Sequence, residues 1–282
     1  MPSVGKTIPH DSAVGHVTGE APFIDDITPR SDEVLVSFVG SPVACGTLRS
    51  VDLARAKKIE GVVGLFTVQD VIGDNMFGPV FQDEPFLAEQ RLLYVSQPIV
   101  VVAAETRAAL AAARQAVRIN AEPSPPVLSI DAARRQELFI GPERRIARGD
   151  WEASMAEARY RLSGVFQSGG QDQFYLESQA AIATPGEQAQ IIVHSSTQNP
   201  TEIQSVVADV LGLRQHQVVC VCKRMGGAFG GKETQAAIPA LMVALVAQKT
   251  GRSARVVYDK DDDMKVTGKR HAFQTEWKVG FD

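Results

Sequence analysis

Lys223–Thr234 reads KRMGGAFGGKET and sets Gly226, Gly227, Gly230 and Gly231 ahead of Lys232 and Glu233. A loop of this kind crowds backbone N–H groups around a ligand, because residues without a Cβ let the main chain approach closely, and such loops hold anions where a helix begins. Gly226, Gly231 and Lys232 fit the phosphate-binding pattern G-x-x-x-x-G-K, but Glu233 stands where a Ser or Thr hydroxyl would ligate magnesium. A carboxylate there would face the phosphates, so a nucleotide-hydrolysing P-loop is an alternative rather than the first expectation. No frame of the four glycines gives G-x-G-x-x-G, which excludes a dinucleotide fingerprint. A plain tight connection accounts for two glycines more readily than for four. A second segment, SGGQDQFYLESQAA at Ser168–Ala181, places Gln171 on a permissive Gly-Gly backbone with acids and aromatics just after it; alone it reads as a turn.

The remaining chemistry-bearing residues are dispersed. Histidines 10, 16, 194, 216 and 271 never pair at metal-ligand spacing and read as surface or packing residues. Cys45, Cys220 and Cys222 are too few for a disulfide framework or for the four thiolates of an iron-sulfur cluster, and Cys220 and Cys222 share one strand face as packing residues. DKDDDM at Asp259–Met264 lacks the glycine and the distant glutamate of a calcium loop and is expected to be a solvated turn.

These segments must be positioned by the elements around them. VVCVC, Val218–Cys222, reads as a strand leading into the glycine loop, and AAIPALMVALVAQKTG after it reads as a buried helix stopped by Gly251, with Pro239 at its start or at a kink. Asn199, Pro200 and Glu202 spell a helix N-terminus before EIQSVVADVLG, which stops on Gly212. AQIIVHSS, RYRLSGVFQ and FYLE read as strands, and a helix is expected near Trp151. Upstream, Val34–Val39, Val62–Thr67 and Pro98–Ala104 read as strands, while VDLARAKKIEG, stopped by Gly61, and TRAALAAARQAVRI read as helices. EPSPP, Glu122–Pro126, forbids regular structure and marks a tether, and the polar stretch up to Asp150 is expected to be a linker with one short helix. HAFQTEWKVGFD reads as a final strand with no partner following it, which suggests a truncated domain. The interleaving of strands and helices with antiparallel pieces points to the α+β class.

Of the 282 residues, 44% are hydrophobic and 22% charged, enough for two domains of an ordinary globular protein. A net charge of −4 without single-sign blocks gives no electrostatic case for nucleic acid. No apolar run is long enough to span a membrane and no secretory leader is evident, so the cytoplasm is the expected location.

GGQDQFYLE, SSTQNPTEIQ, KRMGGAFGGKET and YDKDDDMKVTGKRH, in this order and at these distances, resemble the molybdenum-binding subunit of the xanthine dehydrogenase and aldehyde oxidase family, and HVTGEAPFIDDI, His16–Ile27, looks like the opening of that family's α/β hammerhead domain. The resemblance implies a hammerhead domain over residues 1–124, a linker over 125–150, and the first part of a molybdopterin-binding α+β domain over 151–282. It implies that Gln171 hydrogen-bonds an oxo ligand of molybdenum, and that the main chain around Gly227, Phe229, Gly230 and Gly231 approaches the cofactor, with Gln171 and Phe229 in the metal's second shell. Glu233 would contact a purine substrate. The implied reaction is hydroxylation of hypoxanthine and xanthine to urate with oxygen from water, the electrons leaving through iron-sulfur clusters and FAD, held by a partner subunit, to NAD. The cofactor is molybdopterin with or without a nucleotide tail, and the assembly a heterodimer that pairs.

Ala228 stands where many xanthine dehydrogenases have glycine and Gln173 where histidine is common, which keeps an aldehyde or another N-heterocycle open as substrate. The family's catalytic base and substrate-gripping arginines lie near the end of a much longer chain, so no catalytic residue is assigned here and this stretch is expected to be inert by itself. A noncatalytic assembly module is the remaining alternative.

Overall fold

PIVVVAA, Pro98–Ala104, is apolar at every position, a pattern satisfied only by a strand covered on both faces. In the computed structural model, which describes residues 4–282, every residue of this strand is buried. The first half of the chain contains α1 (Ala13–Thr18), β1 (Val34–Gly40), β2 (Gly46–Asp52), β3 (Val62–Phe66), β4 (Met76–Phe77), β5 (Glu84–Pro85), β6 (Arg91–Leu92), β7 (Pro98–Ala104), α2 (Arg107–Ala116), β8 (Arg118–Pro123) and α3 (Ile130–Arg135). The second half adds α4 (Trp151–Glu157), β9 (Tyr160–Ser168), β10 (Ala180–Pro185), β11 (Ile191–Ser195), α5 (Pro200–Leu211), β12 (Val218–Val221), α6 (Ala237–Thr250), β13 (Ala254–Val257), α7 (Lys260–Val266) and β14 (Phe273–Phe281).

Two compact units result. The larger takes the chain up to Ser124 together with Phe174–Thr267, so the N-terminal segment shares a core with a stretch far downstream. Its seven-stranded sheet runs β12-β11-β10-β13-β1-β7-β3, with parallel pairs at β1/β13 and β11/β12 and antiparallel pairs elsewhere, and this mixture makes the fold α+β. Alternation along β10 divides the two faces: Ala181 and Ala183 join the main core, while Ala180 and Ile182 pack against Ile24. The run Ala237–Ala247 of α6 is buried on all sides, as a helix apolar all round must be, and α6 lies on β10, β11 and β13 with α5 beside it. Pro239 falls in the first turn, where its missing N–H has no helical partner to lose. The smaller unit, Pro125–Gln173 with Gly268–Asp282, is built on a two-stranded ribbon in which β9 and β14 pair antiparallel from Tyr160↔Phe281 to Ser168↔Phe273.

Local signals held where the contacts are local. The Asn199 side chain accepts the Glu202 N–H at 3.2 Å, Pro200 opens α5, and Gly212 closes it at φ +65°. Five expectations are corrected. Val51 and Asp52 pair with Ile119 and Arg118 in the sheet, which leaves room only for a 3-10 turn at Ala56–Lys58 instead of a helix. β8 runs on through Glu122 to Pro123, a proline tolerated at a strand end. FYLE is not a strand: Phe174 adopts φ +47° and the backbone N–H of Glu177 turns to Gly226 O at 3.1 Å. The partner of β14 is β9, which precedes it by about a hundred residues and so leaves no trace in the sequence near the strand. DKDDDM forms α7, capped by the Asp259 side chain on the Asp262 N–H, and Asp263 is buried inside it.

Asp263 accepts the Tyr175 hydroxyl at 2.7 Å and the Gln179 N–H at 2.8 Å, tying α7 to the segment before β10. Asp263→Ala strands both buried donors, and the expected loss, measured by urea unfolding, is about 3 kcal/mol; a loss under about 0.5 kcal/mol would show that the contacts carry no weight.

Candidate functional site

The glycine loop leaves the sheet at its edge strand β12, where the Cys222 thiol donates to Thr197 O at 3.2 Å. α6 begins only at Ala237, beyond Glu233, Thr234, Gln235 and Ala236, and its N-cap Ala236 offers no side-chain bond. The loop is therefore not seated directly on the helix N-terminus as a P-loop would be.

Lys232 decides the chemistry. Its side chain has no exposure to solvent; Nζ donates to Ser196 Oγ at 2.8 Å and to Glu177 Oε2 at 3.1 Å, and lies 4.7 Å from the centre of the Tyr175 ring. A lysine committed this way cannot reach the phosphates of a nucleotide, and the P-loop reading fails on this geometry. Glu177 Oε2 also accepts Ser196 Oγ at 2.6 Å and the Gly226 N–H at 2.8 Å. Further along, Gln198 Oε1 accepts the N–H groups of Gly230 at 3.1 Å and Lys232 at 3.3 Å, and Gln179 Nε2 donates to Gly231 O at 2.9 Å. Thr197 Oγ1 and the Gln198 N–H both donate to Lys232 O.

The clamp leaves one side of the loop open. Phe229 holds the left-handed φ of +54° with the residue 76% exposed, an unfavourable conformation for a bulky residue and of a kind that clusters at binding sites. Gly227 and Gly230 sit at φ +98° and +90°, and no heavy atom lies within 4 Å of where a Cβ of Gly230 would project. The N–H groups of Gly227, Ala228 and Phe229 donate to no acceptor among the described residues. Successive free amides in such a bend form a concavity suited to the oxygen acceptors of a ligand. Glu233 is exposed and forms no ion pair or hydrogen bond among the described residues. Gly231 is buried, its N–H bonded to Ala228 O at 2.8 Å.

Gln171 belongs to the smaller unit, where its backbone exchanges two 3.0 Å hydrogen bonds with Arg270 and its side chain is exposed. Next to it, Asp172 pairs with Lys269 at 2.8 Å.

Burial alone would raise the Glu177 carboxyl, but Ser196, the Gly226 N–H and Lys232 outweigh it and hold the group below its ordinary value. Burial also lowers the Lys232 ammonium, against the opposing pull of Glu177. His194 is lowered by burial and by nearby Lys223, which favours the neutral imidazole. Burial, with Cys222 nearby, pushes the Cys220 thiol up to about 12, the behaviour of an inert packing residue. No cluster of histidine, cysteine or carboxylate side chains among the described residues could ligate a metal ion, and no helix among them is long and apolar enough to cross a membrane.

Two domain-family models match the chain: the α/β hammerhead domain of aldehyde oxidase and xanthine dehydrogenase over residues 18–125, and the molybdopterin cofactor-binding domain over residues 134–282. These matches define the class: the chain carries a molybdopterin cofactor-binding domain behind a hammerhead domain. The chain belongs to the aldehyde oxidase and xanthine dehydrogenase family of molybdenum hydroxylases. It is 39% identical over 279 residues to xanthine dehydrogenase/oxidase of Mus musculus, covering 99% of this chain and 21% of that protein. Against aldehyde oxidase 4 of Cavia porcellus the identity is 36%, with the same coverage. Among solved structures, quinoline 2-oxidoreductase from Pseudomonas putida 86 superposes with a TM-score of 0.85 at 25% identity, over 100% of this chain and 38% of that one. The chain spans about a fifth of the length of the curated relatives it matches.

The depressed Glu177 carboxyl fixes an acid limb of stability. Because its folded value lies below the ordinary 4.5, the group stabilises the fold at neutral pH, and that contribution is lost as pH falls from about 5 through the folded value. The melting temperature followed from pH 6 to pH 3 should fall less steeply for Glu177→Gln than for the unaltered protein; identical slopes would mean that Glu177 is not held ionised.

Proposed function

We propose that this chain is the N-terminal part of the molybdenum-binding subunit of a xanthine dehydrogenase that converts hypoxanthine and xanthine to urate in the cytoplasm. In this reading the iron-sulfur clusters and FAD sit on a partner subunit, NAD accepts the electrons, and the heterodimers pair. The observation that carries it is the clamped loop itself, which leaves the N–H groups of Gly227 and Phe229 without an acceptor among the described residues, beside an exposed Glu233 that has no partner among them.

The residues present fit a molybdopterin cofactor. The free N–H groups of Gly227 and Phe229 would hold it, and Gln171 would donate an amide hydrogen to an oxo ligand. The Gly230 N–H is taken by Gln198, and Gly231 is buried with its N–H on Ala228 O and its carbonyl on Gln179, so these two glycines shape the bend rather than bind. The cofactor would supply transfer of a water-derived oxygen to a carbon beside a ring nitrogen, and would take up the two electrons released. Glu233 accepts an N–H of the purine, or donates to a ring nitrogen or carbonyl when protonated, and so orients the ring. Glu177 is not a general base, since Oε2 is occupied by three donors and Oε1 is buried away from solvent. The catalytic base and the arginines that grip substrate lie outside this stretch in this reading, so the stretch is inert by itself.

Ala228 and the likeness to an aldehyde oxidase support the competing choice of an aldehyde or another N-heterocycle as substrate. In the complete enzyme, Glu233→Ala should lower kcat/KM for xanthine by roughly 10- to 100-fold, the worth of a hydrogen bond to a charged group, and leave aldehyde turnover within about threefold. Equal losses on both substrates would overturn the purine assignment.

A further inference from the structure

Gly226 makes both of its backbone hydrogen bonds with one residue. Its N–H donates to Glu177 Oε2 at 2.8 Å and its carbonyl accepts the Glu177 N–H at 3.1 Å. Glu177 Oε2 is also bound to Lys232 Nζ at 3.1 Å, so a single oxygen touches the first glycine of the loop and the residue that follows the last. The fit is steric as well as polar, because a Cβ on Gly226 would come within 2.5 Å of Glu177 Cβ. Gln198 and Gln179 pin Gly230, Gly231 and Lys232 but do not bond to Gly226. Among the described residues Glu177 alone bonds both Gly226 and Lys232, inside a wider link that Thr197 makes from Cys222 to Lys232.

Stability accounts for a carboxylate beside Lys232 but not for the shape of its contacts. Three donors crowd Oε2, whereas Oε1 is buried without a partner, and a buried ion pair is often replaceable by apolar groups at no loss. A requirement on loop geometry explains what stability does not. We infer that Glu177 is a positioning residue that clips the two ends of Gly226–Lys232 together, forcing the residues between them to bow outward with Phe229 at the apex and fixing the backbone from which Glu233 projects. It acts on Phe229 through Gly226 and on Glu233 through its covalent neighbour Lys232. This role rests on the proposed reading only for what the loop presents; the clip itself is a property of the chain.

The two layers are tested separately in the complete holoenzyme. Amide hydrogen exchange at the bonded N–H groups of Gly226, Gly230, Gly231 and Lys232 should rise at least tenfold in Glu177→Gln and in Gly226→Ala, with α5 and α6 within about threefold of the unaltered protein. If those variants do not fold, Ser196→Ala, which removes one donor from the same oxygen, must still raise exchange in the loop. Unchanged exchange in the loop, or a uniform rise across loop and helices, would overturn the clip. In the kinetic arm, Glu177→Gln should raise KM for xanthine more than it lowers kcat at unchanged molybdenum content, and Glu177→Asp, which retains the charge, should recover part of the loss. Equal effects of Gln and Asp on KM would also count against the clip. Whether the unaltered holoenzyme turns over xanthine at all is read independently, so a wrong substrate is distinguished from a wrong mechanism of positioning.

Discussion

An ammonium group taken wholly out of water organises this site. The effective penalty for burying Lys232 is several kcal/mol, about the scale of a domain's entire net stability, and it is tolerable only with partners in good geometry. Glu177, Ser196 and the face of Tyr175 supply them. Each partner is in turn fixed: Ser196 follows directly after β11, and the Tyr175 hydroxyl is held by Asp263 inside α7. The demand of one buried charge therefore extends from the loop to the sheet and to a helix remote in sequence. The same bond set keeps Lys232 from serving as the phosphate-binding lysine of a P-loop.

The scaffold supplies this environment through its sheet. β11 and β12 run parallel at one edge, and the chain leaves that edge into the loop before returning as α6 across β10, β11 and β13. The loop is tethered between a sheet edge and a helix packed on every side. Rigid support on one side and free amides on the other is what a site needs to hold a large planar cofactor without reorganising.

What could be read from the sequence was what its neighbours in the sequence determine. Asn199, Pro200, Glu202 and Gly212 bracket α5 through contacts within a few residues, and the four glycines announce an unusual loop whatever surrounds it. The family motifs then brought Gln171, Phe229 and Glu233 forward as candidates. The division of labour between the two glutamates was hidden. Glu177 reaches Gly226 and Lys232 across 49 and 55 residues, and nothing in FYLE distinguishes an inward carboxylate from a strand residue. Asp263 misled for the same reason: among four aspartates in a row of five residues, only tertiary contact selects the buried one. The ribbon of β9 and β14 pairs segments too distant for either to reveal the other.

The most direct test is a crystal structure of the complete enzyme with its cofactor and a slowly turned-over purine. The expected result is a cofactor lying against the main chain of Gly227–Gly230, Glu233 within hydrogen-bond distance of the purine, and Lys232 still bonded to Glu177 and Ser196. Lys232 swung out to a phosphate, or a purine bound away from Glu233, would contradict that arrangement.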